Sequence, residues 1–198
     1  MPIRKCFVLT GNQYSERAQF SKNILEKIGF IVKFVNFIPY ENKVLSNKIS
    51  MQYIYGLIAT GNHEWTYVFE DDINILQDIT IDEIIEYEKI SSKFFYLGAC
   101  MTDGERKISL NTNKINNYDV TTTYGNVRGL HAIALSKHGA QELLFFSHKL
   151  SNYEYMDMIL EKFAEINPAN IVRYDLESYL EGHKGIFFQD RNKFPSTI

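Results

Sequence analysis

The chain has 198 residues, with 21 Lys+Arg against 24 Asp+Glu, a formal charge of −3 and a pI near 6.0. Hydrophobic residues make up 45% and charged residues 23%, a composition that excludes an intrinsically disordered chain and can bury a core. The slightly acidic balance lacks the electrostatic footprint of a nucleic-acid binder, and the length fits a single domain over residues 1–198. Lys33 interrupts the most apolar run, 29–38, well short of the roughly 18 apolar residues that a transmembrane segment requires. The apolar run 6–9 is too short for a signal peptide. Cys6 and Cys100 make neither a disulfide framework nor a C-x-x-C motif, so a reducing, cytoplasmic location is expected.

Strand and helix patterns alternate along the chain. Residues 5–10 read as a buried strand stopped by Gly11-Asn12, and 14–28 as a helix with Phe20, Ile24 and Ile28 on one face and Gly29 at its end. A second strand at 31–37 ends before Pro39, and a helix follows at 46–60 with Ile49, Tyr53 and Leu57 on one face and Gly61 as its stop. Residues 65–69 form a short apolar strand that runs directly into Glu70-Asp71-Asp72. Thr80-x-x-Glu83 is a capping box opening a helix to about residue 90, and 93–97 reads as another strand. The stretch 102–117, rich in Asn, Thr, Lys and Gly, is expected to be a long polar surface loop. Residues 130–135 are a strand interrupted only by His131, Ser136 caps a helix to about 146, and 153–166 is a further helix closed by Asn167-Pro168. Late short strands are expected at 171–174 and 186–188, the latter opening a C-terminal tail, 186–198. This alternation predicts an α/β fold with a mainly parallel central sheet flanked by helices. Ligands of such sheets bind at the carboxyl ends of the strands, which points to residues 10–12, 70–72 and 97–99.

Glu70-Asp71-Asp72 is the most informative feature. Adjacent carboxylates repel one another and are costly to desolvate, a conflict that a divalent cation removes. In an extended segment residues 70 and 72 share a side and 71 points away, so Glu70 and Asp72 suit a hard cation, Mn²⁺ or Mg²⁺, with positions left for water or phosphate. A solvated acidic turn is the alternative. The chain has no phosphate-loop signature, no G-x-G-x-x-G, no G-x-S-x-G elbow and no H-E-x-x-H, which disfavours P-loop, hydride-transfer, serine-hydrolase and zinc-protease chemistry.

The ordered set of motifs resembles glycosyltransferase family 25, the lipopolysaccharide and collagen galactosyltransferase-like group. Residues 6–10 with Ser15-Glu16-Arg17 are similar to that family's opening strand and Arg-containing helix, and 30–37 resembles its second strand. Tyr67-Val68-Phe69-Glu70-Asp71-Asp72-Ile73 resembles the hydrophobic-E-D-D-hydrophobic motif, and Phe95-Tyr96-Leu97-Gly98 the strand that follows. Residues 129–140 are similar to its H-A-Y-x-x-S-x-x-G-A segment, and Tyr155-Met156-Asp157-Met158 to the acidic motif opening a late helix. The chain departs from the pattern where the family has G-C-x-x-S-H: Ser50 stands for the serine, and Met51 replaces the histidine.

The resemblance implies a single-domain GT-A fold and cation-dependent transfer of a hexose from a nucleotide-diphosphate donor, UDP-glucose or UDP-galactose, to a hydroxyl of a glycan or glycoprotein acceptor, with inversion. Glu70 and Asp72 would ligate Mn²⁺ or Mg²⁺, with His183 as a late ligand, and Asp71 would contact the ribose. Lys184 would add charge at the leaving diphosphate. Thr10 and Arg17, at the first strand end, are the candidates for nucleotide binding. Asp157 is the expected general base, with Glu154 one turn earlier, and His131 the candidate for the acceptor cleft. Asp190 is a competing late carboxylate, paired with Arg191 in its plain reading. Phe94, Phe95, Phe145 and Phe146 are expected in the core, with Tyr118 or Tyr124 available to stack on a sugar. Two other classes stay open: a metal-dependent phosphohydrolase using the same acids, and a non-catalytic sugar-nucleotide or glycan-binding module.

Overall fold

The computed structural model of the chain describes residues 3–101, 108–116, 118–125, 127–173 and 185–195. Ten strands and five helices follow in the order β1 (Arg4–Thr10), α1 (Glu16–Ile28), β2 (Phe30–Asn36), α2 (Lys43–Ala59), β3 (Trp65–Glu70), β4 (Ile73–Ile75), α3 (Ile81–Glu88), β5 (Phe94–Met101), β6 (Ile108–Ile115), β7 (Tyr118–Thr123), β8 (Val127–Ser136), α4 (Lys137–His148), α5 (Met156–Ile166), β9 (Ala169–Arg173) and β10 (Phe187–Gln189). Eight strands make one sheet in the order β2-β1-β3-β8-β5-β9-β7-β6, and β10 pairs with β4 in a separate two-stranded ribbon.

The expected α/β architecture is present, with one refinement of the sheet. β1, β2, β3, β5, β9 and β6 point one way, and β8 and β7 run against them. Because the reversed strands are inserted between the others, parallel pairing is confined to β1 with β2, β1 with β3 and β5 with β9. The stretch expected as a loop over 102–117 contains β6, which pairs antiparallel with β7. β6 is the last strand in the sheet order, with sequence Ile-Ser-Leu-Asn-Thr-Asn-Lys-Ile.

Strand alternation sorts the apolar residues onto two faces. Phe7, Leu9 and Val68 join α2, α4 and α5 in one core, whereas Cys6, Val8, Tyr67 and Phe69 join α1, α3, Ile73 and Phe187 in the other. The helices begin and end where their signals lie. Ser15 accepts from the Ala18 amide, Thr80 and Glu83 close a complete capping box, Ser136 accepts from the Gly139 amide, and Gly29 ends α1 at φ 117°. Helix faces departed from the simple four-residue reading. In α2 the buried residues include Met51, Ile54, Tyr55 and Ile58, while Tyr53 is exposed; in α1 they are Ala18, Ser21, Leu25 and Ile28. Phe145 is exposed as well, and only Phe94, Phe95 and the partly buried Phe146 pack into the core.

Ser50, the serine kept where Met51 replaces a histidine, has a structural task. Its hydroxyl accepts from the Ile38 amide at 2.8 Å and donates to the Ser46 carbonyl at 2.6 Å, while Ser46 donates to the Ile38 carbonyl at 2.5 Å. Together they fasten the β2–α2 loop onto the first turn of α2. Next to it, the buried Lys48 ammonium donates to the Leu150 and Ser151 carbonyls, both at 2.9 Å, and so ties α2 to the loop that leads into α5.

Candidate active site

The parallel strands β1, β2 and β3 deliver their last residues to one edge of the sheet, where Thr10 and Glu70 end β1 and β3. Glu70 is the last extended residue. Asp71 and Asp72 form a turn that leads into β4, so the side chains do not alternate as an unbroken strand would require. Asp71 and Asp72 instead face the same cation: Nη2 of Arg17 lies 2.7 Å from Asp71 Oδ1 and 3.2 Å from Asp72 Oδ2. The physical reason is the turn itself, which re-aims residue 71 once the sheet pairing stops.

Asp71 is the anchor of this turn. The buried Thr10 hydroxyl donates to its Oδ2 at 2.5 Å, Arg17 holds its Oδ1, and Ser21 donates to its carbonyl at 2.8 Å. Both of its carboxylate oxygens and its backbone are therefore engaged by β1 and α1. Glu70 and Asp72 are handled differently. Gln189 of β10 donates to Glu70 Oε2 at 2.6 Å. Asp72 is 5% exposed, and its Oδ1 is buried with no hydrogen-bond partner among the described residues. The Asp190 amide donates to the Asp72 carbonyl at 2.8 Å, which closes β10 against the turn.

The electrostatics follow from this enclosure. Burial, and then the charges of Asp72, Asp71 and Asp157, push Glu70 up to about 8, with Arg17 opposing them. Burial also raises Asp72, against the pull of Arg17. Glu70 thus retains a proton in the folded chain over a range where the unfolded carboxyl, at 4.5, has lost it. Stability should therefore fall as pH rises from about 4.5 and level off above about 8, because the folded state binds more protons across that window. Glu70→Gln, free of that titration, is expected to gain on the parent by about 4–5 kcal/mol between pH 4 and pH 8.5, in denaturant melts with chelator present. A difference that does not change with pH would remove the buried-acid assignment.

Asp157 is the second residue of α5, and its charge is among those that raise Glu70. It is half-buried, and desolvation raises its carboxyl while the Arg128 guanidinium holds it down. Arg128 is itself fixed by Glu161, with Nε 2.9 Å from Oε2. The structure thus brings Thr10, Arg17, Glu70, Asp71 and Asp72 together, with Asp157 near enough for its charge to bear on Glu70. Glu154 is turned to Lys162, with which it pairs. His131 is a core residue, 1% exposed and packed against Gly98. Tyr118 is buried and Tyr124 half-exposed. His183 and Lys184 lie outside the described residues.

Asp190 does not pair with Arg191. It accepts from Asn74 Nδ2 at 2.9 Å, and Arg191 donates to Gln189 at 3.2 Å, because β10 docks beside β4 rather than trailing as a tail. Gln189, Ser21 and Arg128 are site residues that sequence reasoning did not single out. No periodicity or motif marks them, and only the pairing of β10 with β4 brings Gln189 to the acids.

The fold and site define a mixed α/β domain with an acidic cluster at the carboxyl edge of its large sheet. No protein-family model matches the chain, and no curated protein matches it. Solved structures similar to it include an apo UDP-glucose pyrophosphorylase, with 10% identity, 90% of this chain and 79% of that chain covered, and a TM-score of 0.47. They also include the inositol-1-phosphate CTP transferase from T. maritima (9% identity, 85% of this chain and 84% of that chain, TM-score 0.44). A third is a UDP-glucose pyrophosphorylase complexed with UDP-glucose (13% identity, 90% of this chain and 78% of that chain, TM-score 0.44). No helix among the described residues is long and apolar enough to cross a membrane.

Proposed function

We propose that this chain is a cation-dependent glycosyltransferase that moves a hexose from a UDP-sugar to a hydroxyl of a glycan or glycoprotein, with inversion. The observation that carries the reading is the buried Asp72 Oδ1, which has no hydrogen-bond partner among the described residues, beside Glu70 at the carboxyl edge of the sheet. A carboxylate oxygen buried without a donor is costly unless a cation meets it. Glu70 and Asp72 offer hard oxygen donors of the kind that Mn²⁺ and Mg²⁺ prefer. Among the described residues no three His, Cys, Asp or Glu side chains gather to hold a metal, so the protein's share is a partial set that the donor's phosphate oxygens would complete.

When bound, the cation would neutralise charge that develops on the diphosphate leaving group. The chain's own residues would do the rest. Asp71, locked by Thr10, Ser21 and Arg17, keeps the turn in place, and Gln189 orients Glu70. Asp157, with its carboxyl raised by partial burial, would accept the proton of the acceptor hydroxyl as that oxygen attacks the anomeric carbon. The order of motifs shared with glycosyltransferase family 25 supports the same assignment of Glu70, Asp72 and Asp157.

Calorimetric titration with UDP and a panel of UDP-sugars, with and without Mn²⁺, tests it. Binding that requires Mn²⁺ and falls at least about 100-fold in Asp72→Ala is the expected result, corresponding to loss of roughly 3 kcal/mol of cation-mediated contact. If neither UDP nor any UDP-sugar binds, the reading is wrong, and phosphate-ester hydrolysis by the same acids becomes the next activity to assay.

A further inference from the structure

Arg17 stands where the charge of a cation is needed. It is the second residue of α1, its side chain is 19% exposed, and its Nη2 spans Asp71 and Asp72 at 2.7 and 3.2 Å. The two contacts are unequal. Among the described residues Asp71 has no other cation and no spare oxygen, since Thr10 takes Oδ2; Asp72 is held at the longer distance and its Oδ1 has no partner there. Arg17 Nε is likewise buried without a hydrogen-bond partner among the described residues. The guanidinium therefore has donor capacity left over, and its weaker contact is the one to the residue that a divalent cation would use.

A divalent cation arriving alone at Glu70 and Asp72 meets the fixed positive charge of Arg17 only one carboxylate away, and the two compete for Asp72 Oδ2. A diphosphate removes that conflict, because its oxygens can accept from Arg17 in a bidentate fashion while they also bind the cation. Space for such an anion lies beside Arg17. A cleft of about 280 Å³ is lined there by Ser15, Glu16, Arg17, Lys193, Phe194 and Pro195. Lys193 lies over the Phe20 ring, 3.5 Å from its centroid, which places a second cation on the same cleft against the one acid, Glu16.

Resting on the transferase reading above, we propose that Arg17 is an exchangeable counter-ion: it holds the place of the divalent cation on Asp72 and hands it over only when a nucleoside diphosphate supplies Arg17 with new partners. Cation and diphosphate then bind as a coupled pair, and each tightens the other by the same factor.

The test follows Mn²⁺ by its paramagnetic resonance signal, with and without UDP and corrected for Mn²⁺ held by UDP in solution. In the parent chain UDP should tighten Mn²⁺ by about 30-fold or more, within the ordinary range of site coupling. Arg17→Gln should bind Mn²⁺ without UDP at least about tenfold more tightly than the parent, and its UDP coupling should shrink to a few-fold. Arg17→Lys, which keeps the charge but loses the fork, should retain weak Mn²⁺ binding. Equal Mn²⁺ affinity of the parent with and without UDP overturns the proposal, and this comparison needs no variant to fold. UDP binding that depends on Mn²⁺, together with an Arg17→Gln chain that binds Mn²⁺ no more tightly than the parent, overturns the exchange while leaving the transferase reading intact. Absence of UDP binding to the parent under all conditions overturns both.

Discussion

Asp157→Asn is expected to lower sugar transfer by about 10²–10⁴-fold while the affinity for UDP and Mn²⁺ stays within about twofold of the parent. The amide keeps the size and the Met158 amide contact, at 2.8 Å from Oδ1, but has no lone pair basic enough to take the acceptor's proton. Donor binding is spared because Asp157 is absent from the bonds that hold the turn: those come from Thr10, Arg17, Ser21 and Gln189. Its influence on Glu70 is electrostatic, and removing a negative charge there should lower the Glu70 carboxyl, which favours cation binding slightly if anything. The readout is release of UDP from whichever UDP-sugar binds, to water or to an acceptor glycan, alongside calorimetry of the donor complex. Transfer at the parental rate removes Asp157 from the role of base. Loss of both transfer and donor affinity makes it part of the donor site instead.

The second large effect is on stability and concerns the crossing of β5 and β10. A methyl group at Gly98 would lie 2.2 Å from the Phe187 carbonyl oxygen and 2.5 Å from His131 Nε2, and one at Gly185 would lie 2.4 Å from the Leu97 carbonyl. Neither neighbour can swing away, because one is backbone and the other a ring enclosed by the core. Gly98→Ala is therefore expected to destabilise the chain by about 3 kcal/mol, at the upper end of overpacking substitutions. For a chain of this size that is a fall in Tm of about 6–12 °C, read by a thermal melt. The change should also disturb the site, since β10 carries Gln189 onto Glu70 and the Asp190 amide onto the Asp72 carbonyl. A variant that melts with the parent would show that β10 can move off Gly98 at little cost, and the close crossing would then not be what holds Gln189 in place.

Much of the framework was legible in the residues themselves. The cap at Thr80-x-x-Glu83, the cap at Ser136, the stop at Gly29 and the alternating apolar strands 5–10 and 65–69 specify local structure by local chemistry, and each lies within a residue or two of its expected place. The acidic cluster was legible for the same reason: three carboxylates closing an apolar strand are anomalous wherever the strand lies in the sheet. β6 was hidden because its polar composition, rich in Asn, Thr and Lys, reads as a loop by composition alone. The buried stripe of α2 was misread because that helix is apolar on much of its surface, and only the partners α4 and α5 decide which face is covered.

The sequence by itself thus determined the alternating strand and helix order, the helix ends and the placement of three adjacent carboxylates, Glu70, Asp71 and Asp72, at the end of an apolar strand. The division of labour among them was decided in three dimensions. Asp71 is a structural anchor because Thr10 and Ser21 happen to reach it from β1 and α1, about 50 to 60 residues away in sequence. Among the described residues Asp72 keeps an unsatisfied oxygen because Arg17 reaches only its other one, and Glu70 is desolvated because β10 folds back over β4. Hydrogen-bond capacity and desolvation depend on which distant groups arrive at a carboxylate, and local sequence carries no record of that.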